Sequence, residues 1–127
     1  MTGWAYISSV DITAARFVRA ITRHDQEGLE ACFEPDARFR ALIPSGLHEY
    51  DDAASAAAVV SGWFADAELE LLAESSDTVG DRLHLSYRFA GTEEGSRFVV
   101  EQHVFARLSG GRIAAADLMC SGFRPPA

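Results

Sequence analysis

Apolar residues recur at helical spacing in the first half of the chain and switch to strand-like alternation after it. Ala14, Phe17, Val18 and Ile21 predict a helix with one buried face. Asp11 caps it, and it closes near Arg23 and His24, where positive charge suits the C-terminal end of the dipole. Asp25 restarts a short helix through Leu29, Cys32 and Phe33, which Pro35 stops. Residues 36–43 read as a short strand before a turn at Pro44, Ser45 and Gly46, with His48 and Glu49 in the loop beyond. Asp51 and Asp52 open a third, alanine-rich helix from Ala53 to Val60, with Trp63 and Phe64 at its tail.

From there the period is two. Strands are predicted at about 68–75, 82–90, 98–108 and 112–121, separated by Gly80-Asp81, by Gly91 to Gly95 and by Gly110-Gly111. Helices followed by a run of antiparallel strands give an α+β domain whose helices cover one face of a curved sheet. No linker, repeat or low-complexity segment interrupts the 127 residues, so the chain reads as one domain with loose ends at 1–9 and 124–127.

The predicted strand 98–108 carries the feature closest to chemistry. Glu101 and His103 lie two residues apart, on one face with Val99 and Phe105, at about 6.6 Å spacing. Hairpin parity decides where that face points. A five-residue loop from Gly91 to Gly95, with Ala90 opposite Ser96, sets odd residues opposite odd ones and puts the pair among Leu83, Leu85, Tyr87 and Phe89. A two-residue turn at Gly110-Gly111 or Ser109-Gly110 then adds Ala114, Ala116, Leu118 and Cys120 to that face. In such a greasy pocket a carboxyl holds its proton more tightly and a neighbouring imidazole shares it, the tuning of a donor and acceptor. The alternative has the pair in water and Val100, Val104, Ala106 and Leu108 on the core side, since one bulge reverses the parity. On the first assignment, Asp117 faces outward and Val100, Val104 and Met119 form an outer apolar patch, which predicts a homodimer through that face. Glu68 and Glu70 read as the wet side of an edge strand.

Composition then removes whole classes of function. A net charge of -8 argues against nucleic acid and against an anionic membrane surface. All 11 basic residues are arginine, so Schiff-base chemistry and a Walker-type phosphate loop are excluded for want of an amine. The histidines at 24, 48, 84 and 103 show no HxH or HExxH grouping, so no metal site is expected. Cys32 and Cys120 read as reduced, buried thiols. Without a secretory leader pattern or a long apolar run, a cytoplasmic protein is expected.

The arrangement resembles the nuclear transport factor 2 family, with its SnoaL-like polyketide cyclases and ketosteroid isomerases. The resemblance rests on Asp36-Ala37-Arg38-Phe39 after the second helix, Gly62-Trp63-Phe64 closing the third, and Gly110-Gly111-Arg112-Ile113 in the last hairpin. It implies a cone-shaped, cystatin-like roll, with three N-terminal helices in the concave face of a mostly antiparallel sheet. That fold hosts isomerases, dehydratases, epoxide hydrolases, cyclases and plain binders. Carried over from the isomerases, the general-base aspartate is replaced by Ala41, the oxyanion-hole tyrosine by Phe17, and its supporting tyrosines by Phe33 and Phe64. The protonated aspartate of that site has His103 in its place, which implies an inward-facing His103.

The cyclases and scytalone-type dehydratases of the family work with pocket histidines and carboxylates and no cofactor. Two functions are therefore expected. The first is a cofactor-independent lyase, isomerase or cyclase acting on a small apolar molecule, as in secondary metabolism. In it His103 is general acid or base, Glu101 its partner, and Tyr87 orients a substrate oxygen. Phe17, Phe64, Leu83, Leu85, Phe105, Leu118 and Cys120 wall the pocket. The second is a non-catalytic carrier or sensor using the same pocket.

Overall fold

Carboxylate caps start two of the three helices in the computed structural model, which describes residues 9–126. Asp25 accepts from Gly28 N at 2.9 Å to open α2 (Gln26–Glu30), and Asp52 accepts from Ser55 N at 2.7 Å to open α3 (Ala53–Phe64). The first helix, α1 (Ser9–Thr22), begins ahead of the predicted cap, so that Asp11 lies in its first turn. Its apolar positions Ala14, Phe17, Val18 and Ile21 are buried, as the spacing requires. The predicted loose N-terminus falls outside the described residues except for Ser9, which belongs to α1.

Among the described residues, β1 (Phe33–Ile43), β2 (Gly46–Tyr50), β3 (Glu68–Val79), β4 (Arg82–Glu93), β5 (Ser96–Ser109) and β6 (Arg112–Cys120) form one sheet in the order β2-β1-β6-β5-β4-β3. Every pairing is antiparallel except β1 with β6, which makes a mostly antiparallel, curved and unclosed sheet with the helices on its concave side. The α+β expectation holds. The strand β2 was not foreseen, and His48 and Glu49, expected in a loop, lie exposed upon it. The C-terminal tail is tied at Arg124, whose N–H and carbonyl both bond Val99, at 2.9 and 2.8 Å. Among the described residues no helix is long and apolar enough to cross a membrane.

The register of β4 with β5 overturns the predicted faces. The strands run on past Ala90 and close on a two-residue turn at Glu94 and Gly95, with Glu93 opposite Ser96 and Tyr87 opposite Gln102. Odd residues of β4 therefore face even residues of β5. Phe98, Val100, Gln102, Val104 and Ala106 point into the core with Leu83, Leu85, Tyr87 and Phe89, while Glu101, His103 and Phe105 point outward. The two-residue turn at Gly110 and Gly111 is as predicted, but a bulge between Arg107 and Leu108 shifts parity again. The two slips cancel at β6, so Ala116 and Leu118 still join Leu83 and Leu85 in the core.

Candidate functional site

Gln102 and Tyr87 make a polar pair on the concave side of the sheet. They stand opposite each other on β5 and β4, both fully buried, and Tyr87 Oη donates to Gln102 Oε1 at 2.5 Å. Aromatic rings close over the phenol, Phe89 at 5.5 Å and Phe17 of α1 at 6.1 Å between centroids. Burial pushes the Tyr87 phenol well above its ordinary pKa, so it stays a donor and does not act as a base. Gln102 Nε2 has no partner. A buried amide donor without an acceptor costs about 1–3 kcal/mol. Turning the amide over would not relieve it, because Nε2 would then donate to Tyr87 and Oε1 would be left alone.

The predicted catalytic pair lies on the other side of the sheet. The His103 side chain is 41% exposed and that of Glu101 35%, and both project from the face opposite the one that Leu83, Leu85, Tyr87 and Leu118 pack into the core. His103 Nε2 sits 2.7 Å from Glu101 Oε2 and His103 Nδ1 3.2 Å from His84 Nε2, which engages both ring nitrogens. The Glu101 carboxyl is held below its ordinary range by the hydrogen bond from His103 and then by that from Arg88, the reverse of the rise expected in an apolar pocket. The inward general acid or base expected at His103, and the partner role of Glu101 within that pocket, are thus corrected by register.

The other predicted site residues divide between the two faces. Phe17, Phe64, Leu83, Leu85 and Leu118 are buried in the core, whereas Phe105, expected beside them, is exposed on the outer face. Tyr87 is interior, yet its hydroxyl hydrogen is spent on Gln102. Cys120 stands opposite Gln102, and its Sγ lies 3.4 Å from the N–H of Gly122. Cys32 is buried beneath α2, and desolvation raises its thiol to about 11, which makes it inert at neutral pH. The expected outer patch is also revised, since Val100 and Val104 belong to the core and only Met119 lies outside.

An apolar groove of about 600 Å³ does mark the outer face, with Leu42, Leu47, Phe105 and Met119 in its walls and His103 and the Arg40–Asp117 ion pair at its polar edges. Sequence reasoning passed over Gln102, His84, Asp77 and Glu74. The signal for Gln102 was present. It interrupts the apolar series Phe98, Val100, Val104 and Ala106, whereas the intervening residues include Glu101, His103 and Arg107.

The sequence matches the SnoaL-like domain over residues 14–116, and the chain belongs to that family. No curated protein matches it. Among solved structures it is similar to an LEH-like epoxide hydrolase of M. tuberculosis, with a TM-score of 0.70 and 12% identity, over 89% of this chain and 83% of that one. It is similar to IdmH of Streptomyces antibioticus, a candidate polyketide cyclase, with a TM-score of 0.72 and 17% identity over 90% and 93% of the two chains. A steroid delta-isomerase of Pseudomonas aeruginosa gives a TM-score of 0.63 and 20% identity over 89% and 80%. The likenesses establish a shared fold whose other members include cyclases and ketosteroid isomerases.

Proposed function

We propose that this SnoaL-like chain binds a small, largely apolar molecule carrying one hydrogen-bond acceptor, such as a ketone, in its concave interior. It acts as a carrier or sensor rather than as a lyase, isomerase or cyclase. The observation that carries this reading is the unpartnered Nε2 of Gln102. An acceptor oxygen of a ligand would remove the cost of that buried donor, and Tyr87, by donating to Oε1, polarises the amide and strengthens its N–H. Proton transfer has less support. Thr13 and Gln102 are the only buried polar or charged residues among those described apart from the Tyr87 phenol and the Cys32 thiol, with Cys120 half-buried, so no buried carboxylate or imidazole stands ready as a base.

One observation favours the enzymatic reading. Glu74 stands opposite Tyr87 on β3, on the concave side but exposed, where it could take a proton from a ligand held at Gln102.

Both readings are tested with Prodan, a naphthyl ketone whose emission moves to shorter wavelength in apolar sites. The wild type should give a saturable blue shift, and Gln102→Met should weaken it by up to about tenfold, the equivalent of one neutral hydrogen bond. The absence of saturable binding, or unchanged affinity in Gln102→Met, overturns the proposal. Deuterium exchange at the methylene beside the Prodan carbonyl, faster than in buffer and lost in Glu74→Gln, would select the enzymatic reading.

A further inference from the structure

Five side chains from three strands form one hydrogen-bonded line across the outer face. Asp77 Oδ1 on β3 lies 3.1 Å from His84 Nδ1 on β4, and His84 Nε2 lies 3.2 Å from His103 Nδ1 on β5. His103 Nε2 lies 2.7 Å from Glu101 Oε2, whose other oxygen accepts from Arg88 Nε at 2.8 Å. Assigning hydrogens along the line from its partners bears on its charge. An ionised carboxylate only accepts, so the ring nitrogens facing Asp77 and Glu101 both carry hydrogen. In two neutral imidazoles those are the only ring hydrogens. His84 Nε2 and His103 Nδ1 would then meet as two bare lone pairs at 3.2 Å.

We infer that His84 and His103 form a proton-binding site that holds one extra proton between His84 Nε2 and His103 Nδ1, so that the two rings together carry a single positive charge. The surroundings suit that charge. The Phe105 ring stacks on His84 with centroids 4.6 Å apart and planes 10° from parallel, the arrangement in which an aromatic face attracts a cation. Within one same-face step of the two histidines or of their cross-strand partners, the charged groups are Asp77 from β3, Arg82 and Arg88 from β4, Glu101 and Arg107 from β5, and Asp117 from β6. Arg88 is engaged by Glu101, Arg82 lies 3.8 Å from Asp81, and Asp117 is engaged by Arg40. Asp77 and Glu101 are therefore the carboxylates that bond the pair. The site fastens the edge strand β3 to β5 through the proton, on the opposite side of the sheet from Gln102, and it stands whether or not the interior binds a ligand.

Ring nitrogen–proton correlations of the intact protein at about pH 7.5, where a free imidazole is mostly neutral, count these protons directly. The wild type should show three ring N–H hydrogens in the pair. Asp77→Asn and Glu101→Gln should each show two, because the introduced amide can donate to the ring nitrogen and allow an all-neutral line. The variants lie on different strands, so a folding defect in one leaves the other to decide. Two ring hydrogens in the wild type, or three retained in a folded variant, would overturn the site.

Discussion

At Gln102 a single buried amide carries the energetic cost that the proposed ligand would relieve. Its Oε1 is paired with Tyr87 and its Nε2 is not, so the two residues share one energetic fate. Tyr87→Phe should destabilise the protein by about 1–3 kcal/mol, because both ends of a buried amide are then unpaired. Adding Gln102→Met should restore most of that loss, since no polar group is left stranded and methionine fits irregular space. Urea unfolding of the two single variants and the double variant measures the coupling. A double variant as unstable as the sum of the singles would mean that the pair makes no energetic unit.

The hairpin β4–β5 shows how one turn residue moves a whole candidate site to the other side of a sheet. Glu94 and Gly95 both have positive φ, at 51° and 82°, which is the backbone of a tight hairpin turn. A glutamate rarely adopts that conformation, so residues 91–95 read as a longer loop and the register slipped by an odd number. Glu94→Asn should therefore stabilise the protein by a few tenths to about 1 kcal/mol, and Gly95→Ala should destabilise it by about 1–2 kcal/mol. Chemical denaturation decides, and opposite signs would contradict this turn.

Other parts of the chain were legible because their chemistry is local. The two Asp caps, the alanine-rich α3, the turns at Gly80-Asp81 and Gly110-Gly111 and the order of strands all followed from residues a few positions apart. The short strand β2 was not, since His48, Glu49 and Tyr50 show no core alternation and depend on pairing with β1. The inward position of Gln102 was legible in the alternation of β5, and parity counted from an assumed loop outweighed it.

Among the described residues, the sheet separates an interior holding one buried side-chain polar atom without a partner, Gln102 Nε2, from an outer face that carries ion pairs and exposed apolar side chains. Leu47, Leu42 and Met119 stand side by side across β2, β1 and β6, and Met119 is 59% exposed. Arg40 with Asp117 and Arg88 with Glu101 keep the neighbouring charge balanced in a chain of net charge -8. We propose that a second copy covers this row, because a charge-balanced apolar surface is where two such acidic chains can meet without repulsion. Sedimentation at micromolar concentration should show a dimer in the wild type and a monomer in Met119→Glu, whereas a wild-type monomer would contradict the interface.

Gln102 faces the interior, where the proposed ligand would sit, and His103 faces away from it. Prodan titrations of Gln102→Met and His103→Gln, run side by side with the wild type, test that division most directly. The predicted result is weakened binding, by up to about tenfold, in Gln102→Met and wild-type affinity in His103→Gln. Loss of binding in His103→Gln together with unchanged binding in Gln102→Met would contradict it.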